Sequence, residues 1–178
     1  MKSPIPTYGL LAGIVVNVLM FGPIALFGQR EDWLRYGEIF GYSAMILTMT
    51  ATFFAIRRDR EQQGGVSSFS RGLGVGVGVS AIASLLFGLA TYAFYWIVGD
   101  AFVQKMWDHY QTQIRASGAD AASVARQLAE MEQMRPLFYS YAFQAVVMFA
   151  TLFLIGLAIS LISAAILRRR AQASPASR

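Results

Sequence analysis

Hydrophobic positions along the chain fall into four long uncharged runs, separated by segments that hold nearly all the charge. A bilayer core of about 30 Å needs about 20 helical residues, so each run is read as a membrane-spanning helix. The first extends from Tyr8 to about Gly28 with Asn17 as its most polar residue and Pro23 near its far end. It is too long for a signal-peptide core and lacks a small-residue cleavage pattern, so it is expected to be retained. The second, Ile39 to Ile56, is closed by Arg57, Arg58 and Arg60. The third, Leu73 to Val98, ends in the aromatic cluster Tyr92, Phe94, Tyr95 and Trp96, the composition of an interfacial belt. The fourth, Leu137 to Leu167, comes after Pro136 at a favourable helix start and stops at Arg168, Arg169 and Arg170. It is long enough that its more polar beginning, with Ser140 and Gln144, is expected to protrude or the helix to tilt.

Residues 99–136 form the one sizeable polar segment, and its periodicity is helical. Val103, Trp107, Tyr110 and Ile114 define one apolar face. After a break at Ser117 and Gly118, Asp120 is placed to cap a second helix carrying Val124, Leu128 and Met131. The predicted fold is therefore all-α: a four-helix transmembrane bundle in residues 1–170, with an amphipathic helical hairpin between the third and fourth helices. Residues 171–178 are expected to be a disordered cytoplasmic tail.

Charge supplies a direction. The side holding the N-terminus, the 57–72 loop and the tail carries nine basic residues against Asp59 and Glu61; the other carries six against eight acidic ones. Lysine and arginine accumulate on cytoplasmic loops, so both termini are expected in the cytoplasm and the hairpin on the extracytoplasmic side. Arg57, Arg58, Arg60, Arg168, Arg169 and Arg170 then set topology or meet anionic lipid headgroups. The same asymmetry explains a sequence pI near 9.8 without nucleic acid as a partner. A hydrophobic share of 56% is too high for an ordinary soluble domain. With no cysteine and one histidine, no thiolate chemistry or histidine-built metal site is expected.

Small residues recur every four positions in the third run, at Gly72, Gly76, Ser80, Ser84 and Gly88. Gly74 and Gly78 add a second such pair, and the fourth run offers Gly156, Ser160 and Ala164. Such stripes let helix backbones approach closely, within one subunit or between copies in a homo-oligomer. Gly76, Gly78 and Ala81 formally match a dinucleotide fingerprint, but no strand precedes them and they lie inside a spanning run.

None of the four runs contains Asp, Glu, Lys, Arg or His, the residues around which ion-coupled carriers are usually built. Asn17, Thr48, Thr50, Thr52 and Gln144 are read as interhelical hydrogen-bonding groups. Glu38 is expected to be solvated or paired with Arg35, and His109 to be a wet interfacial residue.

Several segments resemble the bacterial domain-of-unknown-function family 4199, small multi-pass membrane proteins. They are YGLLAG at Tyr8 to Gly13; Glu38, Gly41, Tyr42 and Met45; IRRDRE at Ile56 to Glu61; GGVSSF at Gly64 to Phe69 with Gly76 beyond; EQMRPL; and the closing arginines. Gly72 and Gly74 depart from the pattern, which has larger residues there. The resemblance implies a fold and a location, and no activity. The leading expectation is a non-enzymatic protein, without cofactor, acting through membrane lipid or a membrane or periplasmic protein partner. The alternatives are an oligomeric small-solute transporter or channel, and a membrane enzyme using Glu38, Asp100, Asp108 or His109 at the outer lipid interface.

Overall fold

The computed structural model describes residues 3–27 and 31–168. Among them the chain forms eight helices: α1 (Pro4–Phe27), α2 (Glu31–Met49), α3 (Ala51–Gln62), α4 (Phe69–Val98), α5 (Asp100–Arg115), α6 (Ala121–Gln133), α7 (Arg135–Phe138) and α8 (Tyr141–Leu167). Four stretches are long and apolar enough to cross a membrane: Pro4–Ile24, Gly37–Gln62, Phe69–Val98 and Tyr141–Leu167.

Helix ends depart from the hydropathy boundaries for identifiable reasons. Arginines close the second apolar run, but the helix continues to Gln62, where the Arg57 guanidinium lies 3.0 Å from the Glu61 carboxylate one turn on. Charge ends the span there without ending the helix. At Thr50 the backbone tightens for one residue, its N–H bonding to the Leu47 carbonyl at 3.2 Å. Pro23 lies inside α1, which runs on to Phe27.

The fourth run divides in two, contrary to the expected start at Leu137. Pro136 opens only the single turn α7, and the spanning helix begins at Tyr141 with Ser140 as its N-cap, accepting from the Phe143 N–H at 3.3 Å. Gln144 Nε2 donates to the Phe138 carbonyl at 2.9 Å, satisfying a group freed by the break. Leu137 and Phe138 are as apolar as the residues of α8, so hydropathy alone placed them in the helix.

The spanning helices alternate in direction. Ile5 at the start of α1 packs on the buried cluster of Ala55, Ile56, Val75, Val79 and Leu167, which brings the end of α3, the start of α4 and the end of α8 to one end of the bundle. A second cluster, Ala12, Val16, Met45, Met49, Ala83, Phe87 and Leu152, fills the middle. At the opposite end, Tyr95 packs with Phe102 and Val103 of α5. The outer surface is apolar, with Val18, Ile39, Leu47, Ile97 and Ile166 all more than 60% exposed. In water each would cost free energy; against lipid tails none does.

Gly99 makes the corner between α4 and α5. Its φ of 69° lies in the left-handed region, and its N–H closes α4 on the Tyr95 carbonyl at 2.9 Å. The hairpin turns at Gly118, φ 73°, and Asp120 caps α6 by accepting from the Ala122 and Ser123 N–H groups, both at 3.0 Å. Helix α5 folds over the end of the bundle, with Val103 and Trp107 buried and Tyr110 and Ile114 half-buried. Trp107 packs edge-on against Phe138, 5.2 Å between ring centroids, and the Arg135 guanidinium lies 5.7 Å from its ring. Tyr141 donates to Asp100 at 2.6 Å, and Tyr139 donates to Gln104. Helix α6 has no buried residue, and Leu128 on it is half-buried.

Candidate functional site

Five helices enclose a cavity of about 320 Å³ at the hairpin end. Met45 and Phe87, shared with the central core cluster, lie at its base. Met20, Phe21 and Ile24 of α1, Phe94 and Tyr95 of α4, and Met148 and Thr151 of α8 form walls. Helix α5 contributes Phe102, Met106, His109 and Tyr110, and α2 contributes Glu38, Phe40, Gly41 and Tyr42. Phe40 and Tyr42 are exposed, 37% and 55%, and mark the open rim.

Each helix presents lining residues at one-turn spacing, as in Glu38, Gly41, Tyr42 and Met45, or Phe102, Met106, His109 and Tyr110. The aromatic wall is interlocked: Phe21 stacks on Phe94 at 4.7 Å, and Phe94 meets Phe102 edge-on at 5.3 Å.

The chamber brings together two residues that stand far apart in the sequence. Glu38 and His109 both line it. The half-buried His109 ring pairs through Nε2 with the Gln113 amide nitrogen at 2.9 Å, and the half-buried Tyr110 ring lies beside it, 6.1 Å between centroids. Burial first, then the Glu38 charge, push the Tyr110 phenol up to about 12. Tyr110 was visible in the sequence only as part of an amphipathic face; Phe102 and Met106, outside that face, were not singled out at all. Asp100 is bonded to Tyr141 and Asp108 to Gln104, so neither carboxylate is directed at His109. Among the described residues no three His, Asp or Glu side chains gather closely enough to hold a metal ion.

The small residues of α4 and α8 lie against one another. A Cβ on Gly76 would come within 2.6 Å of the Ser160 Cβ, and one on Gly156 within 2.7 Å of the Ser80 Cβ. Gly72 faces Ile56 and Ala164, and Gly88 faces the Ala145 carbonyl and Phe149. Ser84 is fully buried on the same helix. This stripe is therefore occupied within the chain. The second glycine pair does not act as a unit: Gly78 packs on Ile5 of α1, whereas Gly74 has open space.

Most membrane-depth polar groups turn to their own helix. Thr50 donates to the Leu47 carbonyl at 2.6 Å, Thr52 to Met49 at 2.7 Å, and Asn17 to Gly13 at 2.7 Å. These are contacts to nearby backbone, within α1 for Asn17 and across the α2–α3 junction for Thr50 and Thr52, and not bonds between packed helices as anticipated.

Arg57 and Arg58 are exposed beside Glu61, and Arg60 donates to the Leu167 carbonyl at 3.5 Å, next to Arg168. Arg169, Arg170 and the 171–178 tail lie outside the described residues. Reading Asp59 only as a loop charge overlooked its role. It is 4% exposed and receives both Nε (2.7 Å) and Nη2 (3.1 Å) of Arg71, a two-point ion pair tying α3 to α4. Its signal, one acid inside a run of arginines, could not name the partner.

An all-α bundle with four apolar helices of spanning length, buried small-residue contacts and an apolar exterior defines a polytopic membrane protein. The chain belongs to the family described as "Protein of unknown function (DUF4199)", which it matches over residues 7–169. No curated protein and no solved structure matches it.

Proposed function

We propose that this is a non-enzymatic bacterial inner-membrane protein, with both termini cytoplasmic and the hairpin extracytoplasmic, that holds a small membrane-soluble amphiphile in the chamber beneath α5. The observation that carries this reading is the chamber itself: about 320 Å³, walled by aromatic and methionine side chains, with its few polar groups gathered near the hairpin. Concave, mostly apolar sites with sparse oriented polar groups are the usual form of small-ligand sites. The rim at Phe40 and Tyr42 faces the level at which an amphiphile's head would sit if the hairpin is outside.

The reactive side chains favour binding over chemistry. His109 is engaged with Gln113, and the Tyr95 hydroxyl with the Met106 sulfur at 3.9 Å. A polar transport pathway is disfavoured by Thr50 and Thr52, which bond to nearby backbone carbonyls. A protein partner would meet α6, which has no buried residue.

Purification from native membranes in mild detergent, followed by mass analysis of bound small molecules, tests the reading. One amphiphile at near-stoichiometric level is expected, and Thr151→Phe, which fills the chamber, should remove it. Finding only bulk lipid in both proteins rejects it.

A further inference from the structure

We infer that the ligand of this chamber is a hydrophobic organic cation, an ammonium head on an apolar body, held by the Glu38 carboxylate and the surrounding aromatic rings. This deepens the chamber reading and rests on it.

Three features point to a cation. Among the described lining residues Glu38 is the one acidic side chain, and none is a lysine or arginine. A positive head group would find its counter-charge in Glu38.

Second, two of the lining hydroxyls are already committed as donors. Thr91 donates to the Phe87 carbonyl at 2.8 Å, and Tyr95 toward the Met106 sulfur at 3.9 Å. What these groups leave to a ligand are acceptor lone pairs and ring faces, which suit an ammonium and offer little to a carboxylate or phosphate.

Third, the carboxylate is exposed near the rim while Met45 and Phe87 are buried at the base. A head group beside Glu38 keeps part of its hydration, and the apolar body displaces water from the floor. Burying an unpaired cation at the base would be far costlier.

The test uses octylammonium, octanol and octanoate, which share a chain and differ in head charge, added below their own micelle thresholds to the full-length protein in a neutral maltoside detergent. Binding is read by native mass spectrometry and by the rise in Tm. Octylammonium should bind about tenfold more tightly than octanol, and octanoate more weakly still. Glu38→Gln should bring octylammonium to the level of octanol. Tyr110→Phe, which removes the hydroxyl but keeps the carboxylate, should retain the preference, separating charge recognition from loss of local packing. Phosphatidylethanolamine as competitor distinguishes the source of the amine: displacement indicates a lipid head, and failure to displace indicates a free amine. Equal binding of all three probes, or a preference surviving Glu38→Gln, overturns the inference while leaving an amphiphile chamber. Absence of binding by all three overturns both.

Discussion

Gly76 of α4 and Ser160 of α8 share one contact, and Gly156 and Ser80 repeat it with the helices exchanged. The missing methyl group in each case would lie 2.6 or 2.7 Å from the facing serine Cβ. Each serine hydroxyl bonds back to the glycine one turn earlier in its own helix, Ser80 to Gly76 at 2.8 Å and Ser160 to Gly156 at 2.6 Å. The polar atoms are thereby satisfied and two helices pack at near-backbone separation.

Gly76→Ala or Gly156→Ala should each destabilise the fold by about 1–3 kcal/mol, because neither facing backbone can retreat freely. Gly74→Ala, with nothing within 4 Å of the new methyl group, should be neutral or stabilise by roughly 0.5–1 kcal/mol. Thermal unfolding in one detergent compares all three.

Tyr110 should keep its proton until about pH 12 instead of its ordinary 10.0, as read from near-ultraviolet tyrosinate absorbance of the wild type against Tyr110→Phe. Between these values the folded protein binds a proton that the unfolded chain has released, so stability falls as pH climbs through that window and is unaffected by this group below it. Glu38→Gln should lower the value only part of the way, because burial is the larger cause.

Trp107→Ala should loosen α5 from the bundle, at a cost of about 3–5 kcal/mol. Proteolysis between residues 99 and 140 reports this. Tyr141→Phe, which loses the 2.6 Å bond to Asp100, should give a smaller effect of the same sign.

Asp120 holds its proton less tightly than the ordinary value of 3.8, chiefly through its hydrogen bonds with Ser123. Its contribution to α6 is present above that value and lost as pH falls through the lower folded one. In Asp120→Ala, the amides of Ala122 and Ser123 should exchange faster at neutral pH, whereas Asp120→Asn should restore most of the protection.

Orientation is directly measurable because the chain has no cysteine. A single cysteine at Ser117 should react with an impermeant maleimide from outside intact cells, and one at Gln63 only after permeabilisation. The reverse pattern would refute the proposed topology.

How much was legible depended on the range of the interaction. The capping role of Asp120 and the turn at Gly118 depend on neighbours within a few residues, so residue type and spacing revealed them. The break before Tyr141 was hidden because Leu137 and Phe138 continue the apolar run; Phe138 instead packs on Trp107, thirty-one positions away. Glu38 and His109 each looked unremarkable on their own helices.

The sequence by itself determined four spanning helices, since the cost of exposing backbone polar groups to lipid leaves an apolar run of that length little alternative to a helix. It also determined where charge concentrates. Only the tertiary structure decided which small residues meet, that Asp59 pairs with Arg71, and that five helices leave a chamber with Glu38 at its edge. Those outcomes depend on helix rotation and depth, which many weak contacts between distant residues set together, and hydropathy along a single helix carries no record of them.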